Sequence, residues 1–190
     1  MSNNFESDIQ QCLTVLEKGG LILYPTDTVW GIGCDATNNL AVEKVYTLKQ
    51  RADHKALLVL VTAEQDILKY VAAPDLEIFD YLETCKNPTT VIYQQVIGLA
   101  DAITGKDGSA GIRICNDPFC RQLIKRFKKP IVSTSANISG KPTALRFSSI
   151  DTAIINGVDY VVHWRQEEDK DGIPSQIIRW NQGTIQIIRP

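Results

Sequence analysis

Histidine is scarce: this 190-residue chain has only His54 and His163, far apart in sequence and outside any motif that would position them. A zinc site made of protein ligands and a serine–histidine–acid triad both lack their usual central group. The five cysteines (Cys12, Cys34, Cys85, Cys115, Cys120) are odd in number and form no Cys-x-x-Cys pair. They read as buried thiols in a reducing cytoplasm rather than as a disulfide framework. No apolar run reaches membrane-spanning length, and residues 1–6 offer neither a basic n-region nor an apolar h-region, so neither a membrane span nor a signal peptide is expected. Charge of one sign is not in excess either. A net charge of −2 excludes a surface that attracts polyanions everywhere, so a nucleic-acid contact would need a local patch. No G-x-x-x-x-G-K-[ST] is present, which excludes a Walker P-loop.

What remains is the composition of an ordinary globular protein, of a length that fits one domain over 1–190 with a sizeable core. Two stretches stand out, Pro25-Thr26-Asp27-Thr28-Val29-Trp30-Gly31-Ile32-Gly33 and Ser133-Thr134-Ser135-Ala136-Asn137-Ile138-Ser139-Gly140-Lys141-Pro142-Thr143. Both are rich in hydroxyls and glycine, and each follows a short apolar run. Such segments make poor core and good anion sites. Between them, Lys49 and Arg51 sit two positions apart at a helix-to-strand connection, with Lys55 adding a third charge. Cations near a helix end also favour the macrodipole, so their position in a connecting loop is what points to a ligand. An arginine grips phosphate with two hydrogen bonds, and a lysine supplies a point charge.

Periodicity interleaves helices and strands throughout, predicting an α/β fold with a mixed sheet. Ser7 opens a capping box for a helix ending at Gly19-Gly20, and Asn38 or Asn39 caps a second helix. Thr62 opens another capping box, and further helices are expected over 74–85, 118–127 and 149–156. Strands are expected over 21–24, 56–61, 89–93, 109–115, 130–134 and 160–164. A hairpin joins 175–180 to 184–189. Residues 31–36 match G-x-G-x-x-A, but no strand leads directly into them and no helix starts at the glycines, so the match is read as coincidence. Arg113 lies in an otherwise apolar strand, either facing outward or clamping a carboxylate. Arg121, Lys125 and Lys129 recur every four residues and read as a solvated helix face without the aromatics that base stacking needs. The acidic run 167–171 lacks EF-hand spacing.

Taken in order, six segments resemble the YrdC family, the threonylcarbamoyl-AMP synthases. They are Gly19-Gly20 with Pro25-Thr26-Asp27-Thr28; Lys49-Gln50-Arg51; Asn87-Pro88-Thr89-Thr90; residues 109–113; residues 133–140 with Pro142-Thr143; and Pro174-Ser175-Gln176-Ile177 with Arg189. The resemblance covers nearly the whole chain and matches the short form of the family. Ala52 stands where the family usually has proline, and Asp117 where it often has histidine. The resemblance implies a twisted mixed sheet flanked by helices around a concave, positively lined cavity. It implies a reaction of ATP, L-threonine and bicarbonate or CO2, giving threonylcarbamoyl-AMP and pyrophosphate. A partner transferase would then modify adenosine 37 of tRNA. It further implies that Lys49 and Arg51 are catalytic, and that Lys49, Arg51, Lys55, Ser109, Ser133, Asn137, Thr143 and Arg189 contact ATP. Thr26, Thr28, Arg113, Ser135 and Ser175 would hold threonine, and Mg²⁺ would arrive with the nucleotide. Two alternatives stay open: a double-stranded RNA or tRNA-binding module of the same fold, and a carbamoyl-adenylate enzyme with another acceptor.

Overall fold

The computed structural model describes residues 5–51, 57–169, 171–181 and 183–190. Among them, nine strands form one mixed sheet in the order β7-β1-β2-β6-β3-β5-β4-β8-β9. The strands are β1 (Ile22–Tyr24), β2 (Gly31–Gly33), β3 (Leu58–Val61), β4 (Thr89–Tyr93), β5 (Ala110–Ile114), β6 (Ile131–Ser135), β7 (Tyr160–Val161), β8 (Gln176–Asn181) and β9 (Thr184–Arg189). The helices are α1 (Glu6–Glu17), α2 (Asn39–Leu48), α3 (Glu64–Ile67), α4 (Glu77–Thr84), α5 (Pro118–Phe127) and α6 (Thr152–Gly157).

The two faces of the sheet differ because side chains alternate along each strand. On one face Val132, Val59, Ile112, Val91 and Ile178 stand in register across five strands, all essentially inaccessible to water. Their apolar burial anchors the fold. One residue along, the neighbouring row reads Ser133, Leu58 and Gly111, on the opposite face. Arg113 follows Gly111 on that face, opposite Leu60. One face therefore makes the core and the other carries polar chemistry.

Strand β2 falls in the glycine-bearing stretch 25–33, where no strand was expected. Its glycines are why it pairs there. A Cβ on Gly33 would lie 2.6 Å from the Tyr24 ring and 3.1 Å from the Val132 carbonyl. Tyr24 cannot give way, since it is fully buried with its hydroxyl on the Val132 carbonyl oxygen. The G-x-G signature serves close strand packing, not a pyrophosphate loop.

Capping differs from expectation at two places. α1 begins at Glu6 with no side-chain cap, so Ser7 lies inside it. Thr62 does not cap α3; its N–H and hydroxyl both donate to the Asp66 carboxylate four residues on. Asp117 does cap α5, accepting from the Cys120 N–H at 3.0 Å, with Pro118 at the first helical position. α6 starts later than expected, at Thr152, because Asp151 accepts from the Ala153 N–H while 147–149 form a 3-10 turn. All five cysteines are free thiols. No helix among the described residues is long and apolar enough to cross a membrane.

Candidate functional site

A hollow of about 280 Å³ opens over the polar face of the sheet. Three guanidinium groups reach it from distant parts of the chain: Arg51 after α2, Arg113 on β5 and Arg189 at the end of β9. Ser133, Ser135, Thr143 and Ser175 supply hydroxyls to its wall, and Thr28 and Trp30 come from the β1–β2 connection. Gly111 keeps this face low, for a Cβ there would lie 3.2 Å from Thr90 Cγ2.

Each arginine is held from behind. Arg113 is 2% exposed, and its Nη1 donates to Thr28 Oγ1 at 3.2 Å and lies 3.1 Å from the Asp27 carboxylate. Asp27 lessens the cost of burying that charge. Among the described residues the Arg113 Nε has no hydrogen-bond partner, so the clamp retains unused donor capacity. Thr28 is itself fixed, its Oγ1 2.9 Å from Thr26 Oγ1, which donates to the Val29 carbonyl at 2.8 Å. Arg189 donates through Nε and Nη2 to the Ser175 carbonyl at 3.1 and 2.6 Å, and the Ser175 hydroxyl lies 2.9 Å from Thr90 Oγ1. Arg51 stands over the Tyr46 ring, 6.0 Å from its centroid, and the Tyr46 hydroxyl donates to the Ala102 carbonyl at 2.8 Å. Burial, with the like charge of Arg113 nearby, pulls the Arg189 pKa down. An anion entering the hollow would relieve that repulsion.

Lys49 does not line the hollow. It is 3% exposed, and its ammonium donates to the carbonyls of Ser135 and Asn137 at 2.5 and 2.7 Å. Its own carbonyl accepts the Ser139 N–H at 2.8 Å. Desolvation, then the nearby Arg51 charge, lowers its pKa to about 8. The lysine pins the 135–139 loop against the end of α2.

The other expected site residues divide similarly. Thr26 lies in an adjoining chamber of about 260 Å³, lined also by Asp27, Asn87 and Gln176, which shares Thr28, Val29, Trp30 and Pro174 with the arginine hollow. Asn137 faces a neighbouring hollow; its amide donates to the carbonyls of Ile138 and Lys141, which shapes the loop. Ser109 is elsewhere, its hydroxyl 2.6 Å from the Asp107 carboxylate at the turn before β5. Lys55 lies outside the described residues. Asp27, Tyr46 and Trp30 were missed as site residues. Asp27 was signalled by its place between Thr26 and Thr28, whereas the part of Tyr46 beneath Arg51 emerges only on folding. Among the described residues no group of three or more His, Cys, Asp or Glu side chains is placed to share a metal ion.

Comparison with known proteins agrees with this architecture. Residues 14–190 match the Sua5_yciO_yrdC family model, which bears the description telomere recombination. A threonylcarbamoyl-AMP synthase of Vibrio parahaemolyticus is 30% identical over 190 residues, covering 98% of either chain. The synthase of that name from Saccharophagus degradans is 40% identical over 139 residues, 72% of either chain. Among solved structures, P. abyssi Sua5 complexed with L-threonine superposes with a TM-score of 0.85 at 21% identity, over 97% of this chain. The present chain spans 54% of that one. A fold shared over 97% of the chain and a family model that matches residues 14–190 agree: the chain belongs to the Sua5/YciO/YrdC family.

Proposed function

We propose that this chain is an L-threonylcarbamoyladenylate synthase. The observation that carries the reading is the convergence of Arg51, Arg113 and Arg189 on one hydroxyl-walled hollow. The relatives named threonylcarbamoyl-AMP synthase support it. In the reaction, the threonine amine either adds to CO2 and gives up a proton to solvent, or adds to bicarbonate with loss of one water, and becomes an N-carboxylate. A carboxylate oxygen then attacks the α-phosphorus of ATP, a new O–P bond forms, the α–β bridge breaks and pyrophosphate leaves.

Both reactants are anions, and their repulsion in a hollow of low dielectric is the obstacle. Arg51 and Arg189 offset the charge on the nucleotide and on the atoms in transit, while Arg113 clamps the threonine carboxylate. Thr28, Ser135 and Ser175 contact threonine; Ser133 and Thr143 contact the nucleotide. Lys49 acts at one remove, by setting the carbonyls of Ser135 and Asn137. Catalysis is then positioning and electrostatics, with no side-chain base. Mg²⁺ enters as part of the nucleotide substrate, as a set of phosphate oxygens is a better ligand for it than this hollow. The product passes to a transferase that modifies adenosine 37 of tRNA. The five free thiols suit a reducing compartment.

The test is pyrophosphate release from ATP and bicarbonate, with and without L-threonine. Release that requires L-threonine supports the reading. Release independent of threonine, or triggered by another amine, assigns a different acceptor. No release at all leaves a binding module.

A further inference from the structure

The lysines that the sequence spreads along the helix face do not stay apart. Lys125, Lys128 and Lys129, at the end of α5 and just beyond it, meet Lys69 from the segment after α3 around a hollow of about 380 Å³. Val61, Thr62, Asp66, Tyr70, Ile124 and Pro130 complete its lining. It lies beyond the pairing of Leu60 with Ile131, at the opposite end of β3 and β6 from the arginine hollow. Arg121 does not line the hollow; its guanidinium donates to the Thr62 carbonyl at 2.9 Å.

The local charge is not balanced. Lys69 pairs with Asp66 at 2.9 Å and Lys129 with Asp35 at 2.6 Å. Lys125 and Lys128 have no ion pair or hydrogen bond from their ammonium groups among the described residues. Four lysines less two carboxylates leave +2 around one concavity of a protein whose net charge is −2. A helix C-terminus favours nearby cations, which accounts for Lys125. It does not account for Lys69, which approaches from another element. Nor does it account for Lys128, which closes α5 in the left-handed region at φ 60°. Glycine is the usual choice there, and sometimes asparagine, because a Cβ crowds the following carbonyl oxygen. The residue in this position is instead a lysine that lines the hollow.

We propose that this hollow is a second anion site, distinct from the arginine cavity, that takes a phosphate group. A residual charge of two matches a phosphate dianion or two adjacent phosphodiesters. Lysines rather than arginines, with a single tyrosine, favour recognition of charge over bidentate geometry or base stacking. The phosphate could belong to a free pyrophosphate or to a polynucleotide backbone.

The experiment is titration calorimetry of inorganic pyrophosphate and of a mixed-sequence RNA duplex into the wild type and into Lys125→Gln/Lys128→Gln, at low and moderate salt. Any binding at the arginine cavity is common to both proteins and cancels in the comparison. The double variant is expected to lose about tenfold in affinity for one probe, while threonine-dependent pyrophosphate release stays at the wild-type rate. Loss confined to pyrophosphate assigns a free phosphate ligand. Loss confined to RNA, with a salt slope shallower by about 1–2, assigns the backbone. Equal affinity of both proteins for both probes, or no binding of either probe to the wild type, overturns the site. Because the readout is binding, this outcome is separable from failure of the synthase reading.

Discussion

The ammonium of Lys49 lies 2.7 Å from the main-chain oxygen of Asn137, so the first cation of the Lys-x-Arg motif is spent on the loop that carries the Ser-x-Asn motif. The second cation, Arg51, lines the hollow. Two cations of one motif, separated only by Gln50, thus have different tasks, one building the wall and the other facing the hollow. Replacing Lys49 with methionine removes the donor of two part-buried carbonyls, at up to roughly 1–3 kcal/mol for each group left unsatisfied. The loop at 135–139 should exchange its amide hydrogens faster, and the ATP KM should rise. Lys49→Ala should regain part of its activity in the presence of ethylammonium, which can occupy the vacated volume. Unaltered exchange at 135–139 would contradict the positioning role.

The same lysine sets a pH dependence of stability. Its folded pKa, about 8, is below the ordinary 10.5, so between those values the unfolded chain binds more protons than the folded one. Stability then rises with pH across that window. Below about pH 8 the cost of holding a desolvated charge is felt in full, and as pH climbs toward 10.5 it fades. Denaturant unfolding of wild type and Lys49→Met at pH 7.5 and 10 should show the wild type gaining on the variant at the higher pH. A constant difference would refute the shift.

Arg113 should govern threonine more than nucleotide. Its Nη1 is set by Thr28 and Asp27, and its Nε has no partner within the described residues. Arg113→Ala is expected to weaken L-threonine by tenfold or more in calorimetry while ATP affinity changes by less than threefold. Equal losses for both ligands would place this arginine between them.

Gly33 tests the packing of the missed strand. Alanine there would meet the Tyr24 ring and the Val132 carbonyl, neither of which can retreat. Overpacking of this kind costs ~1–3 kcal/mol. A fall of several degrees in the melting temperature of Gly33→Ala is the expected result. No change would mean that β2 is less tightly held than its contacts imply.

Much of the fold was legible because its signals are local. Pro118 announces the start of α5, and the β-branched run at 89–93 announces β4. Strand β2 was illegible because glycine has no strand propensity; the close approach of Tyr24 and Val132 selects it. Within the site, Thr28, Arg51, Arg113, Ser133, Ser135, Thr143, Ser175 and Arg189 line one hollow. Thr26, Lys49, Ser109 and Asn137 do not, and for Lys49 and Ser109 the reason is directional. A motif names a residue but not which way its side chain turns, and here backbone carbonyls claim Lys49 while Asp107 claims Ser109.

The central claim is that gathered guanidinium groups let a threonine carbamate reach the nucleotide. Carbon-13 bicarbonate, ATP and L-threonine supplied to the wild type and to Arg51→Ala, with products weighed by mass spectrometry, test it most directly. The wild type should yield labelled threonylcarbamoyl-AMP. The variant, folded by circular dichroism, should yield about a hundredfold less, the equivalent of ~3 kcal/mol of lost charge stabilisation. Labelled product forming at the wild-type rate without Arg51, or no labelled adenylate from the wild type, would contradict the account.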